Sequence, residues 1–136
     1  MYVHPFPSTD GMGAASGLQR TDIRNGWLSR IPVRAPNRII IVPVASIARL
    51  EAEDNYVRIW AERPYLHKET LTGLMLRLDP AEFLRVHRST IVNVDRVKEL
   101  LPSFHGEYTI VLCDGTRLSS SRGYSDRLQA IVREHP

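Results

Sequence analysis

The rhythm of hydrophobic and polar positions changes several times along this chain. The first 17 residues have no period, because Pro5, Pro7, Gly11, Gly13 and Gly17 interrupt them. Between Leu18 and Ile31 the apolar residues Ile23, Trp27 and Leu28 are spaced to suit one short helix, and Pro32 and Pro36 close the segment. Residues 1–36 therefore read as a tail or linker, with an upstream input module or a dimer contact as the competing reading. From Arg38 the pattern turns β-rich. Ile39–Val44 and Ile47–Leu50 are apolar and β-branched, and Tyr56–Ala61 reads as a further strand. Leu71, Leu74, Met75 and Leu78 then fall at i, i+3, i+4 and i+7, the spacing of an amphipathic helix, which Asp79-Pro80 stops. Thr90–Val94 returns to strand. Tyr108–Cys113, Asp114-Gly115 and Thr116–Ser119 form a hairpin signal, with Asp-Gly suited to the positive φ angles of a type I′ turn. Tyr124, Leu128, Ile131 and Val132 close the chain at helical spacing.

A chain of 136 residues supports one hydrophobic core, not two of ordinary size. No apolar run approaches the roughly 18 to 20 residues that a membrane span needs, and no basic stretch followed by an apolar one marks a signal peptide. The single Cys113 excludes an internal disulfide framework and a cysteine-based zinc site. Together these lead to an expectation of a cytoplasmic protein.

Charge separates the two parts of the chain. From Asn37 onward there are 14 Lys and Arg against 13 Asp and Glu, a net of only +1, so bulk charge does not identify a nucleic-acid partner. Any basic surface must come from local clustering.

Catalytic and metal chemistry find no support in the motifs. His4, His67, His87, His105 and His135 form no ligand-spaced pair. There is no GxSxG elbow and no glycine-rich phosphate loop. The sequence predicts no enzyme, no metal and no cofactor.

Three clusters remain. Arg85, His87, Arg88 and Ser89 lead directly into the strand at Thr90. Arginine matches guanine O6 and N7 bidentately, and histidine and serine suit phosphates; the alternative is a solvated pair of arginines beside a structural histidine. Ser119, Ser120 and Ser121 precede Arg122 where the hairpin hands over to the last helix. They suit phosphate oxygens, or else Ser120 or Ser121 caps that helix and Arg122 is an ordinary surface residue. Asn55 and Tyr56 sit beyond Glu51, Glu53 and Asp54. Asn55 can pair with adenine and Tyr56 with a sugar or phosphate, although Asp54-Asn55 is also an ordinary turn pair.

The blocks EAEDNYV, F-L-R-V-H-R-S-T-I-V-N, DGTRL and S-R-G-Y occur in one order. Over about Arg38 to Glu134 that order resembles the LytTR-type DNA-binding domain of bacterial transcriptional regulators. The resemblance implies a mostly β fold of small antiparallel sheets with one short internal helix and a short C-terminal helix, within residues 37–136. It implies major-groove reading by loops rather than by a recognition helix. Its base-reading positions match Arg88 and Arg122, with a third near Asn55 and Tyr56. Arg85, His87, Ser89, Ser119, Ser120 and Ser121 match positions that support the loops or meet the DNA backbone. The implied partner is double-stranded DNA at repeated sites, bound by two copies. Only about 37 residues precede the match here, so a stand-alone regulator, control by an upstream sensor or regulatory partner protein, and a fragment of something longer all stay open. A protein-interaction module on the same scaffold is the competing class, and the steep salt dependence of DNA binding separates the two.

Overall fold

The computed structural model describes residues 23–134. They fall into two compact units, the first ending at Ala45 and the second starting at Ser46. The proline- and glycine-rich stretch over the first 17 residues, and residues 18–22 of the expected helix, lie outside the described residues.

The described residues of the first unit form two hairpins. β1 (Ile23–Arg24) pairs with β2 (Trp27–Leu28), and β3 (Arg30–Ala35) pairs with β4 (Arg38–Pro43), both antiparallel. The helix expected across Leu18–Ile31 is therefore replaced by strands wherever that segment is described. The reason is local. Asn25 and Gly26 both take positive φ, 57° and 85°, the type I′ turn that an Asn-Gly pair favours. That turn outweighs the loose apolar spacing around it. Asn37, also at positive φ (63°), turns β3 into β4.

In the second unit a five-stranded antiparallel sheet runs in the order β7-β6-β5-β9-β8. Its strands are β5 (Arg49–Glu53), β6 (Tyr56–Trp60), β7 (Pro64–His67), β8 (Phe83–His87) and β9 (Thr90–Asn93). A three-stranded antiparallel sheet comes next, formed by β10 (Val97–Pro102), β11 (Tyr108–Leu112) and β12 (Arg117–Ser119). The helices are α1 (Leu71–Met75) and α2 (Ser125–Glu134). A mostly β fold of small antiparallel sheets with one short internal and one short C-terminal helix is thus what forms.

Register divides the five-stranded sheet into two faces. Leu50 lies opposite Ile59 and Ile91, and Ala52 opposite Val57, so these residues share one face. α1 packs there on β5 and β9, with Leu71 and Leu74 buried and Leu78 fully buried just after it. Thr70 caps this short helix by accepting the Gly73 amide at 3.0 Å. On the other face Leu84, Val86 and Val92 join Ile110, Leu112 and Leu128 in one core cluster, which knits together the two sheets and α2.

The expected Asp114-Gly115 hairpin forms, but not as a type I′ turn. Only Gly115 takes positive φ (90°); its amide bonds the Leu112 carbonyl at 2.9 Å, while the Asp114 carboxylate accepts the Thr116 amide at 2.9 Å.

Asn93 ties the chain across a long sequence gap. It is buried, its amide group donates to the Ile47 carbonyl at 2.8 Å, and its side-chain oxygen accepts the Asp95 amide at 3.0 Å. Asn93→Ala leaves a buried carbonyl without its donor. We expect a loss of about 1–3 kcal/mol in unfolding free energy by denaturant titration, with the m-value unchanged.

Candidate nucleic-acid interface

Three turns gather at one edge of the second unit. The β8–β9 turn carries Arg88 and Ser89. The stretch after β12 carries Ser119, Ser120, Ser121 and then Arg122, which opens a single 3-10 turn (Arg122–Tyr124) ahead of α2. The β5–β6 turn carries Asp54 and Asn55, with Tyr56 starting β6. Arg88, Arg122, Asn55, Tyr56 and Ser119 are all exposed.

Backbone bonds between elements hold these turns together. β8 bulges between Arg85 and His87, which takes Val86 out of the ladder with β9. The Val86 carbonyl accepts the Ser121 amide at 2.9 Å, seating the Arg122 turn against β8. The Ser89 carbonyl accepts the Ala52 amide at 2.9 Å, seating the β8–β9 turn beside the end of β5.

Side chains stiffen the same turns. Arg85 donates from Nη2 to the Arg88 carbonyl, from Nη1 to the Thr72 hydroxyl at 2.9 Å and from Nε to the His87 carbonyl at 3.4 Å. Its guanidinium also lies 5.9 Å from the Tyr124 ring centroid. One arginine thus links α1, the Arg88 turn and the residue two beyond Arg122. His87 Nδ1 accepts the Ser89 amide at 3.2 Å and lies 2.9 Å from its hydroxyl. An amide can only donate, so in the neutral ring the proton sits on Nε2.

The serines before Arg122 divide by burial. Ser120 is buried: its hydroxyl accepts the Tyr108 amide at 2.9 Å and lies 3.4 Å from the buried Ser125 hydroxyl. Ser121 is half-buried and its side chain does not cap the 3-10 turn. Neither Ser120 nor Ser121 makes the capping bond that the sequence allowed; the Ser125 hydroxyl instead donates back to the Ser121 carbonyl at 3.1 Å.

Two of the acids near the β5–β6 turn have internal partners. Glu53 accepts from Arg58 Nε at 2.9 Å and from Nη2 at 2.7 Å, and these side-chain hydrogen bonds hold its carboxyl below the ordinary value. Glu51 accepts the Trp60 indole N–H at 2.8 Å and pairs with Arg49 at 3.5 Å, whose guanidinium lies 4.2 Å from the centroid of the Trp60 ring. Asp54, at φ 57°, makes the turn itself.

Sequence reasoning found the exposed arginines but missed Thr72 and Tyr124 as partners of Arg85, and Arg58 as the partner of Glu53. Arg85, Thr72 and Tyr124 meet only through tertiary contact. The Glu53–Arg58 pair sits across the β5–β6 ladder, where Arg58 lies opposite Glu51. Among the described residues, no group of His, Cys, Asp and Glu could hold a metal ion. No described helix is long and apolar enough to cross a membrane.

Comparison with known proteins gives one consistent result. The sensory transduction protein LytT of Bacillus subtilis is 32% identical over 95 residues, 69% of this chain and 39% of LytT. The heme-containing CO-sensing transcriptional regulator RcoM 2 of Paraburkholderia xenovorans is 34% identical over 129 residues, 93% of this chain and 46% of RcoM 2. The chain thus spans less than half the length of either relative. A solved LytTr DNA-binding domain from Bacillus cereus superposes with a TM-score of 0.69 at 28% identity, covering 76% of this chain and 96% of that one. Residues 37–133 match the model of the LytTr DNA-binding domain, and the chain belongs to that family.

Proposed function

We propose that this chain is a sequence-specific DNA-binding transcriptional regulator that reads the major groove with turns on a β-scaffold. The observation that carries the reading is the convergence of the Arg88, Arg122 and Asn55 turns at one edge, joined by the Ser121–Val86 and Ala52–Ser89 backbone bonds. The DNA-binding turns all lie within residues 37–136. The partner is double-stranded DNA at repeated sites, which two copies occupy, since one small module reads few base pairs. The protein works in the cytoplasm, carries out no catalysis, and takes its input from an upstream sensor or a regulatory partner protein.

Arg88 and Arg122 are the base readers, each suited to a bidentate contact with guanine. Asn55 and Tyr56 form the third reading position. Arg85 has its donors committed inside the protein, so it positions the Arg88 turn rather than meeting DNA. His87 offers its Nε2 proton to a phosphate, and Ser89 holds the imidazole in that orientation. Ser119 and Ser121 meet the DNA backbone, while buried Ser120 shapes the loop from within. Glu53 and Glu51 oppose DNA less than free carboxylates would, because each is paired with an arginine, Arg58 and Arg49.

In-vitro selection from a random duplex pool, followed by titration of the selected duplex, tests this reading. Arg88→Ala and Arg122→Ala should each weaken binding to the selected site roughly 10-fold or more, with a smaller loss on random DNA. Equal losses on both would reject the base-reading roles. No enrichment with folded protein would favour a protein-binding module.

Arg58→Ala exposes the Glu53 carboxylate to phosphate and should weaken binding a few-fold at low salt. Adding Glu53→Gln should restore affinity. A double variant as weak as the single one would show that Arg58 acts by another route.

A further inference from the structure

The β10–β11 connection, Ser103–Glu107, is a closed tip. The Ser103 amide donates to the Glu107 carbonyl at 2.9 Å, the His105 amide donates to the Ser103 hydroxyl at 3.3 Å, and Gly106 takes positive φ (85°) to complete the turn. Phe104 stands on this tip fully exposed, and Leu101 on the strand below is 39% exposed. Residues 103–107 contain no Lys or Arg. Single exposed apolar side chains are common on protein surfaces, so exposure alone carries nothing. The position of Phe104 carries more.

Pro102 lies opposite Tyr108, the residue that also holds Ser120 through two bonds: the Ser120 amide to the Tyr108 carbonyl, and the Tyr108 amide to the Ser120 hydroxyl, each at 2.9 Å. Arg122 lies two residues after Ser120. Phe104 is the second residue of the tip, two positions beyond Pro102 in sequence. Phe104 and Arg122 therefore project from neighbouring connections at the same end of the three-stranded sheet. The exposed ring and the Arg122 turn thus lie toward the same end of this sheet.

Resting on the DNA-binding reading above, we propose that Phe104 is a further DNA contact, packing its ring on a base edge or methyl group beside the position that Arg122 reads. Phenylalanine suits the thymine methyl in the major groove. The tip's lack of a cation gives the contact a distinctive signature. It buries apolar area without neutralising a phosphate, so it adds affinity without adding to the salt slope.

The test uses the full chain and the duplex obtained by selection, titrated at several salt concentrations with wild type, Phe104→Ala, Phe104→Leu and Arg122→Ala. Phe104→Ala should bind about 10-fold more weakly, the size expected for removing a buried phenyl. Its slope of log affinity against log salt should match wild type, and its thermal midpoint should be unchanged. Phe104→Leu should keep part of the affinity. If Phe104→Ala binds as wild type does while Arg122→Ala loses the site, the tip faces something other than DNA and the proposal fails with the DNA-binding reading intact. Loss of affinity with an altered salt slope would overturn the apolar contact as well. If the wild-type protein selects no site, the DNA-binding reading fails and this inference with it.

Discussion

The Val86 carbonyl is the group on which the arrangement of the three turns depends. In a regular ladder it would bond to β9 and β8 would run straight into its turn. The bulge between Arg85 and His87 releases it instead, and the Ser121 amide takes it. Val86 keeps its side chain in the core with Leu84 and Val92 while its backbone serves another segment. One extra residue in an edge strand thereby joins two connections that are more than 30 residues apart in sequence. A bulge also increases local twist and re-aims the side chains beside it, which here are Arg85, His87 and Arg88. The site is consequently a property of backbone pairing, with the arginines added at its exposed points.

Charge obeys the same logic of local assembly. A domain with a net charge near +1 has no long-range field to draw in a polyanion. Local charge is set instead by which acids and cations pair with one another. Glu53 is gripped by Arg58, and Glu51 is occupied by Trp60 and Arg49. The cations that do this, Arg49 and Arg58, are committed to it. Arg85 is likewise committed to the Arg88 carbonyl and Thr72. Arg88 and Arg122, exposed at the turns, have the geometry to address a ligand. Counting arginines along the chain does not separate these groups, although hydrogen-bond partners do.

Much of the fold was legible where side-chain period was clean. Leu71, Leu74 and Leu78 marked the α1 segment, and Tyr108–Cys113 with Thr116–Ser119 marked the β11–β12 hairpin. The misses had identifiable causes. β10 carries Lys98 and Glu99 side by side and bulges between Val97 and Glu99, so no alternation marks it. β7, Pro64–His67, is too short to show a period. Leu84 and Val86 alternate with Arg85 and His87 as a strand should, but the donors drew attention to chemistry rather than to β8. Asn25-Gly26 was the stronger local signal in its segment, yet the apolar spacing beside it suggested a helix. The arginine cluster could be seen in sequence; the contacts that fix it could not, because Thr72, Tyr124 and Val86 reach it only through tertiary structure.

The boundary at residue 36 shows the same difficulty at larger scale. Proline content separates residues 1–36 from the rest of the chain, and the family match begins at residue 37. Yet β3 before that point pairs through six residues with β4 after it, from Arg30 opposite Pro43 to Ala35 opposite Arg38. A cut at residue 37 would leave β4 with no partner strand and with Ile39, Ile40 and Ile41 on an open edge, which favours association with other chains. The similarity to RcoM 2 covers 93% of this chain and so extends into the residues before Asn37. Pro36 and Asn37 sit at a hairpin turn, where a composition change is what turn chemistry requires. A proline-marked transition in sequence is thus as consistent with the middle of a hairpin as with the edge of a domain, and strand pairing decides between them.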